Sequence, residues 1–169
     1  MVPTAVRRLD ELIRPTWRVL EFGSGSSTAW YAERAEQVVS LEDDPVWLEE
    51  VRSRVGTLGP DRCDVRLVAL SDFPAVAGEF APDTFDLVII DGNEGAGVTR
   101  TDCAAAARPL VKPGGYVVVD DSDIHEFQPM LELFRGWESE RFVGVKQRPL
   151  MAVETTILRR PAFGEPVAA

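Results

Sequence analysis

Acids and a glycine turn recur at regular intervals along this 169-residue chain. The first cluster is Val19-Leu20-Glu21-Phe22-Gly23-Ser24-Gly25-Ser26-Ser27-Thr28, an apolar run that meets an acid, breaks at a glycine-serine turn and then starts a helix. Gly23 and Gly25 allow backbone conformations and close ligand approach that a Cβ would block. Ser26, Ser27 and Thr28 offer hydroxyls and N–H groups at a helix start, where the dipole is positive, so the turn suits a ligand with acceptor oxygens. Further along stand Glu42, Ser71-Asp72, Asp91-Gly92 and Asp120-Asp121, each closing an apolar stretch. A glycine turn alone has many false matches, so the elements around it must decide whether these groups are neighbours.

The periodicity predicts those elements. Thr4 is placed to cap a helix over 5–14, with Val6, Leu9, Leu12 and Ile13 at helical spacing and Pro15 as its stop; it is expected to lie over a sheet edge or face as a lid. Strands are predicted at 17–22, 37–42, 64–70, 85–90 and 116–119. Helices are predicted at 27–36, from Asp43-Asp44-Pro45 to about Val55 with Gly56 as the stop, and at 98–111. The segment 75–82 reads as loop. After a helix near 126–136, two strand-like runs, 141–146 and 151–158, flank Arg148-Pro149 as a hairpin, and 161–169 is a loose tail. Five strands with helices between them imply an α/β, doubly wound, Rossmann-like parallel sheet with helices on both faces and a C-terminal antiparallel hairpin, within one domain over 1–169. Ligands of such sheets bind outside the carboxyl ends of the strands. Glu21, Glu42, Ser71-Asp72, Asp91 and Asp120-Asp121 all fall at those ends, so the order of elements gathers them on one rim.

Composition narrows the partners. A hydrophobic share of 45% and a charged share of 27% match an ordinary soluble globular protein. With 28 acidic against 18 basic residues the net charge is -10, which opposes nucleic acid as the main partner. No apolar run approaches the ~20 residues that span a bilayer, and none follows Arg7-Arg8 as a secretory signal requires. Cys63 and Cys103 have no metal-ligand spacing and read as free thiols of a reducing cytoplasm.

The acidic rim then selects among ligands that could use the turn. A carboxylate at Glu42 can accept both hydroxyls of a ribose, through charge-assisted bonds worth about 1.5–3 kcal/mol each. A dinucleotide such as NAD would want a third glycine and would set a pyrophosphate against the turn. Thr28 stands at that third position and Glu21 aims negative charge at the phosphate site. A cofactor with an ammonium, a sulfonium and one carboxylate satisfies the same geometry, and S-adenosylmethionine (SAM) is that molecule.

Glu21-Phe-Gly23-Ser-Gly25-Ser-Ser, Glu42, Phe85-Asp-Leu-Val-Ile-Ile-Asp91-Gly92 and Leu110-Val-Lys-Pro-Gly114-Gly115-Tyr-Val-Val-Val-Asp120-Asp121 together resemble a class I SAM-dependent methyltransferase over roughly residues 17–160. The Asp-Gly after the fourth strand and the paired aspartates after the fifth are similar to the metal-dependent, macrocin-type O-methyltransferases. The resemblance implies that Glu21 and the turn hold the methionine portion, Glu42 the ribose, and Ser71 with Asp72 the adenine, while Asp91, Asp120 and Asp121 hold Mg²⁺. Three clustered carboxylates repel one another unless a cation or protons intervene, which agrees with a hard divalent ion. The alternative is that Asp91 meets only the cofactor's ammonium while Asp120 and Asp121 cap a turn or helix.

The general base is less defined. Asn93 follows the Asp-Gly and cannot take a proton at neutral pH, which leaves Glu94 and His125 as candidates beside Asp91. His125, the sole histidine, follows the aspartate pair closely. Arg100 and Lys112 read as helix surface and turn. The expected activity is transfer of a methyl group to a small-molecule hydroxyl, assisted by Mg²⁺; the alternatives are metal-independent transfer to nitrogen or carbon, and a SAM-binding partner or sensor module without catalysis. The short chain leaves either an open acceptor cleft or one that a second subunit of a homo-oligomer completes.

Overall fold

The computed structural model describes residues 1–93, 95, 97–147 and 150–165. A seven-stranded sheet runs in the order β3-β2-β1-β4-β5-β7-β6. Strands β1 (Arg18–Phe22), β2 (Gln37–Glu42), β3 (Cys63–Leu67), β4 (Phe85–Ile90) and β5 (Val111–Asp120) pair in parallel, and β6 (Glu138–Gln147) and β7 (Leu150–Arg159) form the antiparallel addition. Strand order reverses between β1 and β4, so their carboxyl ends frame the switch point.

The middle strands are apolar on both sides because both sides are covered. Val19, Val38, Leu87 and Ile89 pack under α1 (Pro3–Leu12), α2 (Ser26–Ala32) and α3 (Pro45–Val55). Leu20, Phe22, Val39, Val88 and Ile90 pack under α4 (Phe73–Ala77), α5 (Arg100–Ala107) and α6 (Gln128–Glu132). Among the described residues no helix is long and apolar enough to cross a membrane.

Several boundaries differ from the sequence-based expectation, each for a local reason. Helix α1 starts at Pro3 with Val2 as its N-cap and no side-chain cap from Thr4; the fixed φ of proline suits a first turn, and the Val2 N–H is held instead by Thr155 Oγ1 at 3.1 Å. The helix lies over the β6–β7 hairpin, tied by Arg8 to Glu140 at 3.0 Å. The expected loop at 75–82 begins as α4, because Phe73 and Ala77, one helical turn apart, are both buried and Phe73 meets Phe22 at 6.2 Å between ring centres. Strand β3 ends at Leu67, three residues early, and the chain tightens into a 3₁₀ turn at Leu70–Asp72.

Helix α5 is shorter than 98–111 because Thr99 and Asp102 form a reciprocal capping box that fixes its start, and a 3₁₀ turn with Pro109 follows. Strand β5 is longer than predicted, since it pairs with β4 first at Val111, opposite Phe85, and again from Tyr116, opposite Leu87, after a register shift; a Cβ at Gly115 would stand 3.0 Å from the Asp86 carbonyl oxygen. The helix expected at 126–136 is a 3₁₀ turn, His125–Phe127, followed by α6. The hairpin turn at Arg148-Pro149 lies outside the described residues. Within the expected tail, Glu165 is ion-paired to Arg159 at 3.0 Å.

Candidate active site

Gly23 is where the β1–α2 turn becomes possible. Its φ is +84°, and a Cβ there would stand 2.5 Å from the Cα of Gly92, so the turn lies directly against the end of β4. Gly25 is extended, at φ -174°, a conformation open to any residue; its missing side chain leaves room in the cleft instead. The cleft, about 470 Å³, opens at the carboxyl ends of β1, β2 and β4 and is lined by the Gly23–Ser27 turn, Glu42–Asp44, Trp47 and Asp91–Asn93.

Glu21 is not part of that lining. It is fully buried beneath the turn, where Ser27 donates to its Oε1 at 2.6 Å, and Thr28 and Ser40 donate to Oε2 at 2.5 and 2.8 Å. Burial raises its pKa to about 7, against the opposing effect of the three hydroxyls, with the negative charge of Asp91 adding to the rise. The expected direct contact of Glu21 with the methionine portion is therefore not what the geometry provides: the carboxylate is a peg that holds the turn from below. Thr28 shares that correction. It is buried, and its hydroxyl, besides bonding Glu21, accepts the Gly25 N–H at 2.9 Å.

Glu42 does reach the cleft. Its Oε2 accepts from the Ser24 N–H at 3.0 Å and the Ser24 hydroxyl at 2.7 Å, and its Oε1 accepts from the Asp43 and Asp44 N–H groups at 3.1 and 3.0 Å. Those four bonds match the roughly four lone-pair sites of a carboxylate, and only the Ser24 hydroxyl can rotate away. Trp47 forms one wall and donates its indole N–H to the Ser24 carbonyl at 2.7 Å.

At the other side of the switch point Asp91, Asp120 and Asp121 each offer a carboxylate oxygen, all within 4.8 Å of one another. Asp121 holds a positive φ of 55° immediately after β5, which turns the chain out of the sheet and keeps the pair together. Asp120 is buried, accepts from the Thr155 hydroxyl at 2.7 Å and meets the Met1 amino group at 2.6 Å. Asp91 lies 3.5 Å from the Arg100 guanidinium.

Arg100 is the residue that sequence reasoning missed. Instead of sitting on a helix surface, its mostly buried side chain donates to the carbonyl oxygens of Gly92 and Asp120, both at 2.9 Å, and lies over Phe127 at 4.7 Å. It thus clamps the ends of β4 and β5 beside the acids. The Thr99-Arg-Thr-Asp102 capping box carried the signal, since it places Arg100 in the first turn of α5, next to the rim.

Other expected site residues are not brought together. Ser71 and Asp72 are exposed on the turn after β3 and bond to each other at 3.2 Å, outside the lining of the cleft. His125 is exposed as well, because the segment is anchored by buried Ser122 and Phe127 and the histidine is left on its outer side. Glu94 lies outside the described residues. Lys112 pairs with Asp86 at 2.9 Å, at the opposite end of the sheet.

A doubly wound sheet with a glycine turn and acidic cleft at its switch point has the architecture of the class I methyltransferases. The match to known proteins agrees: the family model described as a methyltransferase domain fits residues 20–122, and the chain belongs to that family of SAM-dependent methyltransferases. No curated protein matches in sequence. Solved structures of similar fold include an O-methyltransferase from Bacillus cereus in complex with SAH, at 20% identity, TM-score 0.70, 95% of this chain and 82% of that chain. An rRNA methylase from Streptococcus thermophilus is similar at 15% identity, TM-score 0.71, 94% of this chain and 95% of that chain. An N-methyltransferase from Bradyrhizobium japonicum is similar at 16% identity, TM-score 0.68, 94% of this chain and 93% of that chain. Oxygen, RNA and nitrogen acceptors thus share one fold, so the acceptor must be argued from the site.

Proposed function

We propose that the cleft holds SAM and that the enzyme methylates a hydroxyl oxygen of a small molecule. The carrying observation is the acidic lining at the switch point: Glu42 beside the glycine turn, and Asp91 facing it from β4. Glu42 accepts the ribose hydroxyls, with the Ser24 hydroxyl turning aside to release one acceptor site. The Ser26 and Ser27 N–H groups, which have no intrahelical acceptor in the first turn of α2, meet the methionine carboxylate. Asp91 meets the ammonium or takes the acceptor proton. Bound there, SAM supplies an electrophilic methyl group on a sulfonium.

The oxygen donors of Asp91, Asp120 and Asp121 suit Mg²⁺, which takes carboxylates and water. These residues would hold it where it lowers the pKa of a substrate hydroxyl. As the acceptor oxygen takes the methyl group that SAM would supply, Asp91, or water beside it, would receive the hydroxyl proton.

Calorimetry with S-adenosylhomocysteine (SAH) and NAD tests the cofactor; NAD binding without SAH binding would overturn the reading. A second reading, metal-independent transfer to nitrogen or carbon, is favoured by one observation: Asp91 and Asp120 already face cationic groups, Arg100 at 3.5 Å and the Met1 amino group at 2.6 Å. Loss of turnover in EDTA with recovery in Mg²⁺ separates the two in favour of the metal.

A further inference from the structure

A second cavity, about 280 Å³, lies between α1 and α2 and shares Ser26, Ser27 and Asp91 with the first. Its remaining walls are Val6, Leu9, Trp30 and Met1, whose amino group is held by Asp120 at 2.6 Å. Resting on the function proposed above, we propose that this cavity is the acceptor site and that it selects a compact, uncharged molecule with an apolar body and one hydroxyl, a simple phenol being the type.

Five observations carry the assignment. The two cavities meet at Asp91, so a ligand in each would place a hydroxyl and the cofactor's reactive end on either side of one carboxylate. The volume falls at the lower edge of the ~300–1,000 Å³ span of small-molecule sites, which excludes glycosylated or polymeric acceptors from full enclosure.

The polar lining is too sparse for a sugar. Ser27 donates its hydroxyl to Glu21, the Met1 amino group is paired with Asp120, and Asp91 lies 3.5 Å from Arg100, which leaves few polar groups against a carbohydrate that would bury several hydroxyls, each costly if unpaired. With the Met1 amino group paired to Asp120 and Arg100 beside Asp91, the cluster of Asp91, Asp120 and Asp121 still keeps an excess of negative charge, which opposes an anionic acceptor where no metal is bound. Finally, the wall is fixed. Helix α1 is pinned to the hairpin by Arg8 to Glu140 at 3.0 Å and by fully buried Leu9, so the pocket exists without closure of a lid.

The test uses the full chain loaded with SAH, in which 4-methylphenol, benzoate and methyl glucoside are titrated and followed by NMR. The expected result is contacts from the ring protons of 4-methylphenol to the Val6 and Leu9 methyl groups, and weaker binding of the other two probes. In Val6→Trp, which fills the cavity from a half-buried position, 4-methylphenol affinity should fall about tenfold or more, equivalent to ~1.4 kcal/mol, while SAH affinity is unchanged. Equal binding of the three probes, no contact with α1, or an unaffected Val6→Trp protein would overturn the assignment. If Val6→Trp does not fold, the contacts and the ranking in the native chain decide it alone. Failure of SAH to bind removes the proposed function; SAH binding without phenol contacts to α1 removes only this inference.

Discussion

Glu21 and Glu42 end neighbouring strands of one sheet, both carry nearly all their surface inside, and yet their surroundings make them opposites. Glu21 is bonded only to side-chain hydroxyls, from Ser27, Thr28 and Ser40, in a place with no exposure. Glu42 is bonded mainly to backbone N–H groups, of Ser24, Asp43 and Asp44, and keeps 4% of its surface at the cleft. Backbone donors are fixed by the fold, whereas hydroxyls can rotate and can donate or accept. The difference teaches that position at a strand end does not make an acid a ligand contact. What the next strand and turn offer it decides whether it supports the turn or faces the ligand.

The largest effect should come from Glu21→Ala. It leaves the buried hydroxyls of Thr28 and Ser40 and the partly buried one of Ser27 short of a partner, with a void under the turn, and should destabilise the protein by about 3–5 kcal/mol, seen as a lower denaturant midpoint. A loss below about 1 kcal/mol would break the view of Glu21 as the peg of the turn.

The same carboxyl gives a pH dependence of similar size. Its folded pKa, about 7, exceeds the ordinary 4.5, so the unfolded chain releases the proton first. This contribution to stability is whole below about 4.5 and is lost as pH rises through about 7, on the order of 3 kcal/mol in all. Glu21→Gln, which stays neutral, should flatten the stability difference between pH 5 and pH 8 relative to the parent chain. Parallel pH profiles for the two proteins would place the titration elsewhere.

Glu42→Ala should act on ligand binding instead. SAH affinity should weaken by about one to two decades, the equivalent of ~1.4–2.8 kcal/mol by calorimetry, with a denaturation midpoint less affected than that of Glu21→Ala. An unchanged affinity would remove Glu42 from the ribose site.

Much of this arrangement was legible in the chain itself. Phe85–Ile90 is apolar without interruption because it is a strand covered on both faces, and each such run stops at an acid, so the rim could be read before its geometry was known. What could not be read is which way a side chain at that rim turns. The inward turn of Glu21 depends on Ser40 of the next strand, and the role of Arg100 on the two strand ends that its guanidinium bridges. Ser71, Asp72 and His125 lie outside the lining of the cleft for the complementary reason: their place in the chain brings them near the rim, but short 3₁₀ turns leave them exposed. Trp47 entered the cleft through the position of α3, which Asp44 fixes by capping the Val46 and Trp47 N–H groups at 2.8 and 3.1 Å. The Asp-Asp-Pro signal for that helix start was visible; the wall it builds was not.

The smallest effect sharpens the contrast most. Ser24→Ala removes the one bond on Glu42 whose donor can rotate, the hydroxyl contact at 2.7 Å, and leaves the three backbone N–H bonds in place. Stability should fall by about 1 kcal/mol, the ordinary net worth of such a bond. SAH affinity should hold or rise slightly, because a ribose hydroxyl then enters an acceptor site already vacant and no longer displaces the serine. A several-fold loss of affinity would mean that the Ser24 hydroxyl itself contacts the ligand. The equivalent deletion beneath Glu21, Ser40→Ala, removes a bond of 2.8 Å inside the sealed cluster and should leave SAH binding alone while costing stability, so the pair of variants separates a replaceable partner from a structural one.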